Sequence, residues 1–144
     1  MLEKINPGEI FKLIIAGGGS CITYLFGGWS QLLGILLAFV VIDYIAGVSA
    51  SAIEGKLSSN IGRKGIAKKV FIFVIVAVAH LVDVALGNGN FFRDATIFFY
   101  LANETISILE NAGRVGLPIP EVLKRAIDIL QKKADNVNDQ TRLY

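Results

Sequence analysis

Asp43, His80 and Glu104 are ionisable residues within apolar stretches of this 144-residue chain, and their types could do chemistry there. Asp43, His80 and Glu104 each lie about eight to ten residues from the end of a stretch that adjoins a basic cluster, so at about 1.5 Å per helical residue they share one depth. An acid at the centre of a bilayer costs about 2.5 to 3.5 kcal/mol on insertion scales. We therefore expect these groups to hydrogen-bond between helices or to line an aqueous path, and not to face lipid.

The fourth apolar stretch also carries a polar stripe. Seven polar residues follow helical spacing along it: Thr96, Tyr100, Asn103, Glu104, Ser107, Glu110 and Asn111. One helix contact needs fewer polar groups than this, so the stripe predicts an aqueous, pore-lining surface in at least one state. The alternative is a helix that lies at the membrane interface and never fully inserts.

Metal binding and catalysis are not indicated. His80 is the single histidine and Cys21 the single cysteine, and Asp83 shares a helix face with His80 at a spacing of three. We expect Asp83 or Glu104 to satisfy the imidazole, in preference to a metal. The acids have no partnered nucleophile, and the triple glycine at 17–19 lies inside an apolar run, not between a strand and a helix. We predict no enzyme activity, no cofactor and no metal.

Four apolar stretches must position these residues, at about 10–26, 32–50, 70–86 and 91–109. The hydrophobic fraction is 53% and the charged fraction 18%, against about 45 to 50% and about 25% in soluble domains. Long apolar runs with charges clustered between them are what a bilayer requires. The pattern predicts an all-α integral membrane fold of helical hairpins with four transmembrane helices. Three are the alternative, because glycines weaken the first helix and polar residues the fourth.

The first stretch has two other interpretations, a signal peptide and a lipid-attachment signal. Glu3 offsets the charge of Lys4, and no Ala-x-Ala cleavage site follows the apolar run. Gly18 stands where a lipid-attachment signal for Cys21 would have an aliphatic residue. A spanning helix, with Cys21 as a small packing residue, is favoured.

Basic residues indicate the orientation. The predicted loop at 54–69 holds a single acid, Glu54, and five basic residues: Lys56, Arg63, Lys64, Lys68 and Lys69. Such loops stay cytoplasmic. With four spans, Lys4, Lys12 and the C-terminal cluster of Arg114, Lys124, Arg125, Lys132, Lys133 and Arg142 lie on the same side, which leaves only Arg93 of the 14 basic residues outside. The charges therefore favour four spans with both termini cytoplasmic. The net charge of +2 is too small to suggest nucleic acid.

The chain divides into a transmembrane domain at 1–113 and a cytoplasmic part at 114–144. Gly113 and Gly116 can end the fourth helix, and Pro120 can begin another. The new helix has an apolar face of Val122, Leu123, Ala126, Ile127 and Leu130 and a polar face of Lys124, Arg125, Asp128, Gln131 and Lys132. It can lie on the inner leaflet or pack on a partner helix. From Ala134 onward we expect a loose polar tail.

Small residues four apart indicate close helix packing. The pairs are Gly17 with Cys21, Gly34 with Ala38, Ala46 with Ala50, and Gly47 with Ser51. Their number predicts dense association, within one copy or between copies in a homo-oligomer.

Several short motifs resemble the phage-lysis and toxin-secretion holin family. The similarity covers roughly residues 33–133, and its motifs are Asp43-Tyr44-x-x-Gly47, Gly55-Lys56-Leu57-Ser58-Ser59, Gly62, Gly65, Lys68-Lys69, Asn103-Glu104-x-x-Ser107-Ile108-x-Glu110-Asn111 and Gly116-x-Pro118-x-Pro120. The resemblance implies a phage-derived protein that oligomerises in the cytoplasmic membrane and at a set time opens lesions that release an endolysin or a toxin. Members are often drawn with three spans, and the family implies no catalytic residues.

Three functions follow as alternatives. A holin should associate with copies of itself in the lipid bilayer, leading to host cell lysis, and should pass its cargo without binding it specifically. A small ion or proton channel, or a transporter subunit, should conduct selectively and not pass proteins. An antiholin should bind a separate holin and delay it. The polar stripe and the small-residue faces suit the first two equally, and the resemblance favours the holin.

Overall fold

The computed structural model describes residues 6–141, with side chains to residue 136, so Glu3, Lys4 and Arg142 lie outside the described residues. The described chain consists of five α-helices: α1 (Pro7–Phe26), α2 (Gln31–Ile53), α3 (Ser59–Leu86), α4 (Phe91–Arg114) and α5 (Glu121–Thr141). No strand occurs between residues 6 and 141. The all-α prediction is confirmed.

The helices begin and end where capping residues occur. Ser30 accepts a hydrogen bond from the backbone N–H of Leu33 at 3.1 Å at the start of α2, and Ser58 does the same for α3. These hydroxyls satisfy backbone donors that have no partner inside the helix. Gly27 and Gly87 end α1 and α3 in the left-handed conformation, which glycine adopts without steric cost. The positions of the predicted hairpin turns are therefore determined by capping residues at the helix ends.

Two predicted segments differ from the structure. The basic loop at 54–69 is mostly helix, since α3 begins at Ser59 and carries Arg63, Lys64, Lys68 and Lys69 on its first turns. Our prediction placed the start of this helix where the apolar run begins and missed the Ser58 cap. The tail from Ala134 is not loose as far as Thr141, because α5 continues to that residue. Ala134 itself is buried, so packing extends this helix.

Helix α4 is the centre of the bundle. It packs on α2, α3 and α5, while α1 contacts mainly α3. The core forms where α2, α3 and α4 meet and consists of Leu33, Leu36, Val40, Ile72, Val76, Ile97 and Leu101. Contacts at both ends show that α2 and α4 run in one direction and α3 in the other. We call the end where α2 stops and α3 starts the basic end, and the end with the α1–α2 and α3–α4 turns the opposite end.

Three helices, α1, α2 and α3, are long and apolar enough to cross a membrane. Little of their apolar surface is buried within the bundle, and α1 has no buried residue. Helix α4 is not among the helices that meet these criteria of length and apolar composition, so a fourth spanning helix is not confirmed. Helix α4 contains Arg93, Asp94, Glu104 and Glu110, which together lower its apolar character.

Candidate functional site

A buried ion-pair cluster joins α2, α3 and α4. The Lys69 ammonium group on α3 forms salt bridges with the carboxylates of Asp43 on α2 and Glu104 on α4. Both acid side chains are only 6% exposed, and the lysine side chain is 19% exposed. The cluster thus has one cation and two acids, so with both acids ionised it carries an excess negative charge. Removal of the lysine would leave two acids inside the bundle without compensation, whereas removal of one acid would leave a balanced pair.

The cluster continues toward the basic end through hydrogen bonds. The Nδ2 atom of Asn111 donates to Oδ1 of Asp43 at 3.3 Å, and Oδ1 of Asn111 accepts from Nη1 of Arg114 at 2.8 Å. Arg114 also makes two hydrogen bonds to the carboxylate of Glu54, at 3.0 and 2.8 Å. The chain of contacts from Glu104 to Glu54, which we call the polar network, fixes the register between the parallel helices α2 and α4.

The outer end of the polar network is accessible to water. Glu54 caps the C-terminus of α2 beyond the apolar segment, and its side chain is 24% exposed. The hydrogen bonds from Arg114 lower the pKa of the Glu54 carboxyl. Glu54 therefore stays ionised to a lower pH than an isolated glutamate.

A second polar site lies at the opposite end and holds the start of α4. The Asp83 carboxylate accepts hydrogen bonds from the backbone N–H groups of Phe92 at 2.9 Å and Arg93 at 2.8 Å. Asn90, the N-cap residue, makes no side-chain capping bond, so α3 supplies the cap that α4 lacks. The buried Arg93 donates from Nη1 to the carbonyl oxygen of Phe26 at 2.8 Å and thereby ties the end of α1 to α4.

His80 does not have the partner that we expected. Asp83 is engaged by the start of α4 and Glu104 by Lys69, and the buried Nδ1 of His80 has no hydrogen-bond partner among the described residues. The imidazole packs against the turn at Gly27, where a Cβ atom would lie 2.6 Å from its Cε1. The prediction that Asp83 or Glu104 satisfies His80 is wrong.

His80 also lies at a different depth from the two acids. Asp43 is ten residues before Ile53 and Glu104 ten before Arg114, whereas His80 is twenty-one residues after Ser59. Along α3, His80 is eleven residues, or about 16 Å, beyond Lys69. Our expectation that the three residues share one depth is therefore wrong for His80, because it assumed that α3 begins near residue 70 and not at Ser59.

Some residues of the polar stripe on α4 face the interior of the bundle, and others face outward. Glu104 and Asn111 are buried in the polar network, and Thr96 donates to the carbonyl oxygen of its own helix at Phe92. Asn103 and Glu110 are exposed, while Tyr100 and Ser107 are partly buried. The stripe is therefore both a helix contact and an exposed surface in this structure.

The small residues also divide into two sets. A Cβ atom on Gly47 would lie 3.4 Å from Nδ2 of Asn111, so this glycine brings α2 close to α4. Gly34 packs against Trp29. Gly17 has open space around it, and Ala38 is exposed. The first two act within one copy, and the last two leave surface available outside it.

One close helix contact was missed in the sequence. Tyr44 of α2 lies against Gly62 and Gly65 of α3. An added Cβ atom would be 3.4 Å from the tyrosine hydroxyl at Gly62 and 3.5 Å from the ring at Gly65. The three-residue spacing of these glycines was the available signal. They sit in the basic segment that we predicted to be a loop, so we did not consider helix packing there.

The basic residues are mostly exposed at the basic end. Arg63, Lys64 and Lys68 are exposed on α3, and Lys56 lies 3.7 Å from Glu54. Lys69 alone among the five turns into the bundle. Among residues 6–136, whose side chains the structure describes, no group of three or more histidine, cysteine or acidic residues could hold a metal ion.

Comparison with known proteins identifies a family for this chain. The model of the bacteriophage holin family matches residues 20–132. A probable holin of Bacillus phage phi105 is 31% identical over 117 residues, which cover 81% of this chain and 86% of that protein. No solved structure matches the chain significantly.

Two uncharacterized bacterial proteins are more similar in sequence. One from Listeria innocua is 50% identical over 91% of this chain and 94% of its own length. Another, from Clostridium perfringens, is 45% identical over 89% of this chain and 98% of its own length. With three helices able to span a membrane and a family match over most of its length, this multi-pass membrane protein belongs to the bacteriophage holin family.

Proposed function

We propose that the protein is a holin that oligomerises in the bacterial cytoplasmic membrane and opens timed lesions through which an endolysin or a toxin leaves the cell. The observation that carries this proposal is the family match over residues 20–132. The apolar outer surface of α1, α2 and α3 supports it, because that surface suits lipid and contacts between copies. The cargo needs no binding site on the protein, and an antiholin is a further proposed partner.

We further propose that both termini are cytoplasmic before the lesions open, with four transmembrane helices. The exposed Arg63, Lys64 and Lys68 at the basic end support this orientation. In this untriggered state, residues 1–113 form the transmembrane domain, and residues 114–144 form the cytoplasmic part. The exposed part of the α4 stripe, at Asn103 and Glu110, is proposed to face water once lesions form.

Expression in bacteria tests the proposal. We expect growth to continue while the protein accumulates and the membrane potential then to collapse abruptly. Lysis should follow only when a cytoplasmic muralytic enzyme is co-expressed. A gradual leak of ions without release of folded protein would instead identify a channel, and no effect on the cells would contradict both functions.

The polar network is proposed to set the time at which lesions open. Two acids share one lysine, so Glu104→Gln removes the excess negative charge while Asp43 still pairs with Lys69. This should stabilise the closed bundle and delay opening. Each 1.4 kcal/mol changes the ratio of closed to open states about tenfold.

The onset of potential loss at matched protein levels measures this effect. Glu9→Gln removes an exposed carboxylate from α1, outside the polar network, and is the control, with little change expected. If Glu104→Gln and Glu9→Gln have the same onset as the parent, the network does not control timing.

A further inference from the structure

The surface of the bundle has two chemically different sides. Large exposed hydrophobic residues are frequent on α1, α2 and α3, for example Ile14, Ile45 and Val78. On α4, which is described in full, Phe99 is the single exposed large hydrophobic residue. Helix α5 exposes a charged face, which consists of Glu121, Lys124, Arg125, Asp128, Lys132 and Asp135, with the exposed Val122, Leu123 and Ile129 beside it. The outer side of α1, α2 and α3 therefore suits lipid, and the charged face of α5 suits water.

Helix α5 lies antiparallel along α4 and not across its end. The Lys133 ammonium group lies 4.8 Å from the centre of the Phe98 ring, and this lysine shares a surface cavity with Asn90 and Asp94 on the first turn of α4. Ala134 lines another cavity with Thr96. The hairpin thus brings α5 from the basic end back to the opposite end.

The depth of α5 follows from this docking. From Glu121 to Ala134 the helix rises about 20 Å, which is most of a hydrocarbon core of about 30 Å. If α4 crosses the membrane, the charged face of the docked α5 lies at hydrocarbon depth. Lys124, Arg125, Asp128 and Lys132 cannot face lipid there, because charged side chains in a membrane require water or a partner.

The face of α4 beneath α5 is suited to two environments. It carries Phe91, Phe92, Ala95 and Phe98, which are partly covered by α5 in this structure. Aromatic and small apolar side chains of this kind can contact either lipid or the apolar face of an amphipathic helix. Helix α4 can therefore remain in the membrane while α5 either lies outside it or docks.

We propose that the docked α5 is the water-facing wall of the open lesion. Copies of the chain assemble with α1, α2 and α3 toward lipid and with the charged face of α5 toward the lumen. This inference rests on the proposed holin function and names the element that lines its lesion. That face is mixed in charge, with three bases and three acids: Lys124, Arg125, Lys132, Glu121, Asp128 and Asp135. This suits cargo of either sign.

Efflux from vesicles tests the lining role. The full-length protein with Cys21→Ser and Asp128→Cys is reconstituted in phosphatidylethanolamine and phosphatidylglycerol vesicles that contain fluorescent dextrans of two sizes. A bulky maleimide on residue 128 should slow efflux of the large dextran severalfold and change that of the small dextran much less. Lys64→Cys, exposed on α3 at the basic end, is the matched control and should show no such effect when modified.

A disulfide lock tests whether docking belongs to the open state. Asp94→Cys with Lys133→Cys, whose native side chains line one cavity, should cross-link α5 to α4 on oxidation. We expect the locked protein to release both dextrans, whereas the inference is overturned if locking abolishes release and reduction restores it. Equal effects of the maleimide at residues 128 and 64 would also overturn it. Absence of release by the unmodified protein would instead contradict the holin function itself.

Discussion

Lys69 shows how one side chain can connect three helices. Its ammonium group lies between Asp43 and Glu104, and its neighbour Lys68 is exposed. A buried acid is expensive in a low-dielectric interior unless a cation and hydrogen bonds compensate it. Lys69 therefore allows two carboxylates to remain inside a bundle that is otherwise apolar.

Replacement of this lysine should be severe. Lys69→Met keeps much of the side-chain length and leaves two acids without their cation, so we expect a loss of about 3 to 5 kcal/mol in stability. Thermal unfolding in detergent micelles measures it. Lys68→Met, one residue earlier and exposed, should change the midpoint little.

A second variant separates charge from packing. Lys69→Met combined with Glu104→Gln removes one of the two uncompensated acids and should recover part of the lost stability. No recovery in the double variant would mean that the lysine contributes through packing and not through its charge.

The sequence predicted part of this site. The acids Asp43 and Glu104 interrupt apolar runs, so their burial could be expected from insertion cost. Their partner could not, because spacing within a helix does not identify contacts between helices. Lys69 stands at the edge of an apolar run among other basic residues, and we predicted it to lie in the cytoplasmic loop. The prediction for His80 was wrong for the same reason, because Asp83, three residues away on the same helix, is not its hydrogen-bond partner.

At the scale of elements, α4 depends on other helices for its first turn. Its N-terminal amides are capped by Asp83 of α3, and its own N-cap residue, Asn90, makes no side-chain bond. A carboxylate there also interacts favourably with the positive end of the helix dipole. The start of α3 follows from the Ser58 cap, which the sequence contains, whereas a cap supplied from another helix cannot be recognised from local sequence.

The cap can be tested at the residue that supplies it. Asp83→Ala should destabilise the start of α4 by about 1 kcal/mol, or more if the amides stay buried without a partner. Hydrogen exchange of the Phe92 and Arg93 amides should become faster. Asn90→Ala should leave both rates unchanged, and equal rates in the Asp83 variant and the parent would show that the cap does not hold this turn.

The pair that joins the ends of α2 and α4 should respond to pH. Arg114 lowers the pKa of Glu54 below its ordinary value of 4.5. A lowered folded-state pKa stabilises the fold above the unfolded-state value, and this contribution is lost as pH falls through the folded-state value. The advantage of the parent over Glu54→Gln should therefore be full near neutral pH and should vanish in strong acid.

Thermal midpoints of the two proteins across this pH range measure that difference. The effect should also shrink in high salt, because the pair is partly exposed and screened. A difference between the two proteins that does not change with pH would show that the carboxylate charge of Glu54 is not involved.

For the whole molecule, the proposed orientation makes the two ends distinguishable. In a Cys21→Ser background, Asn88→Cys lies in the turn at the opposite end and Ser59→Cys at the basic end. An impermeant thiol reagent added to intact, untriggered cells should label residue 88 and spare residue 59. Labelling of residue 59 from outside would reject both the orientation and the four-span arrangement.

The position of α4 in the bundle has a consequence for biosynthesis. Apart from partners within α4 itself, such as Asp94 and Arg114, the polar partners of its buried groups come earlier in the chain: Phe26, Asp43, Lys69 and Asp83. A ribosome therefore delivers these partners before it delivers α4. A helix that lacks the apolar character of α1, α2 and α3 can enter the membrane against groups that are already inserted. We expect α4 placed alone behind a reporter segment to fail to insert in a glycosylation-mapping assay and to insert when it follows α1, α2 and α3. Efficient insertion of the isolated helix would show that the order of synthesis does not matter.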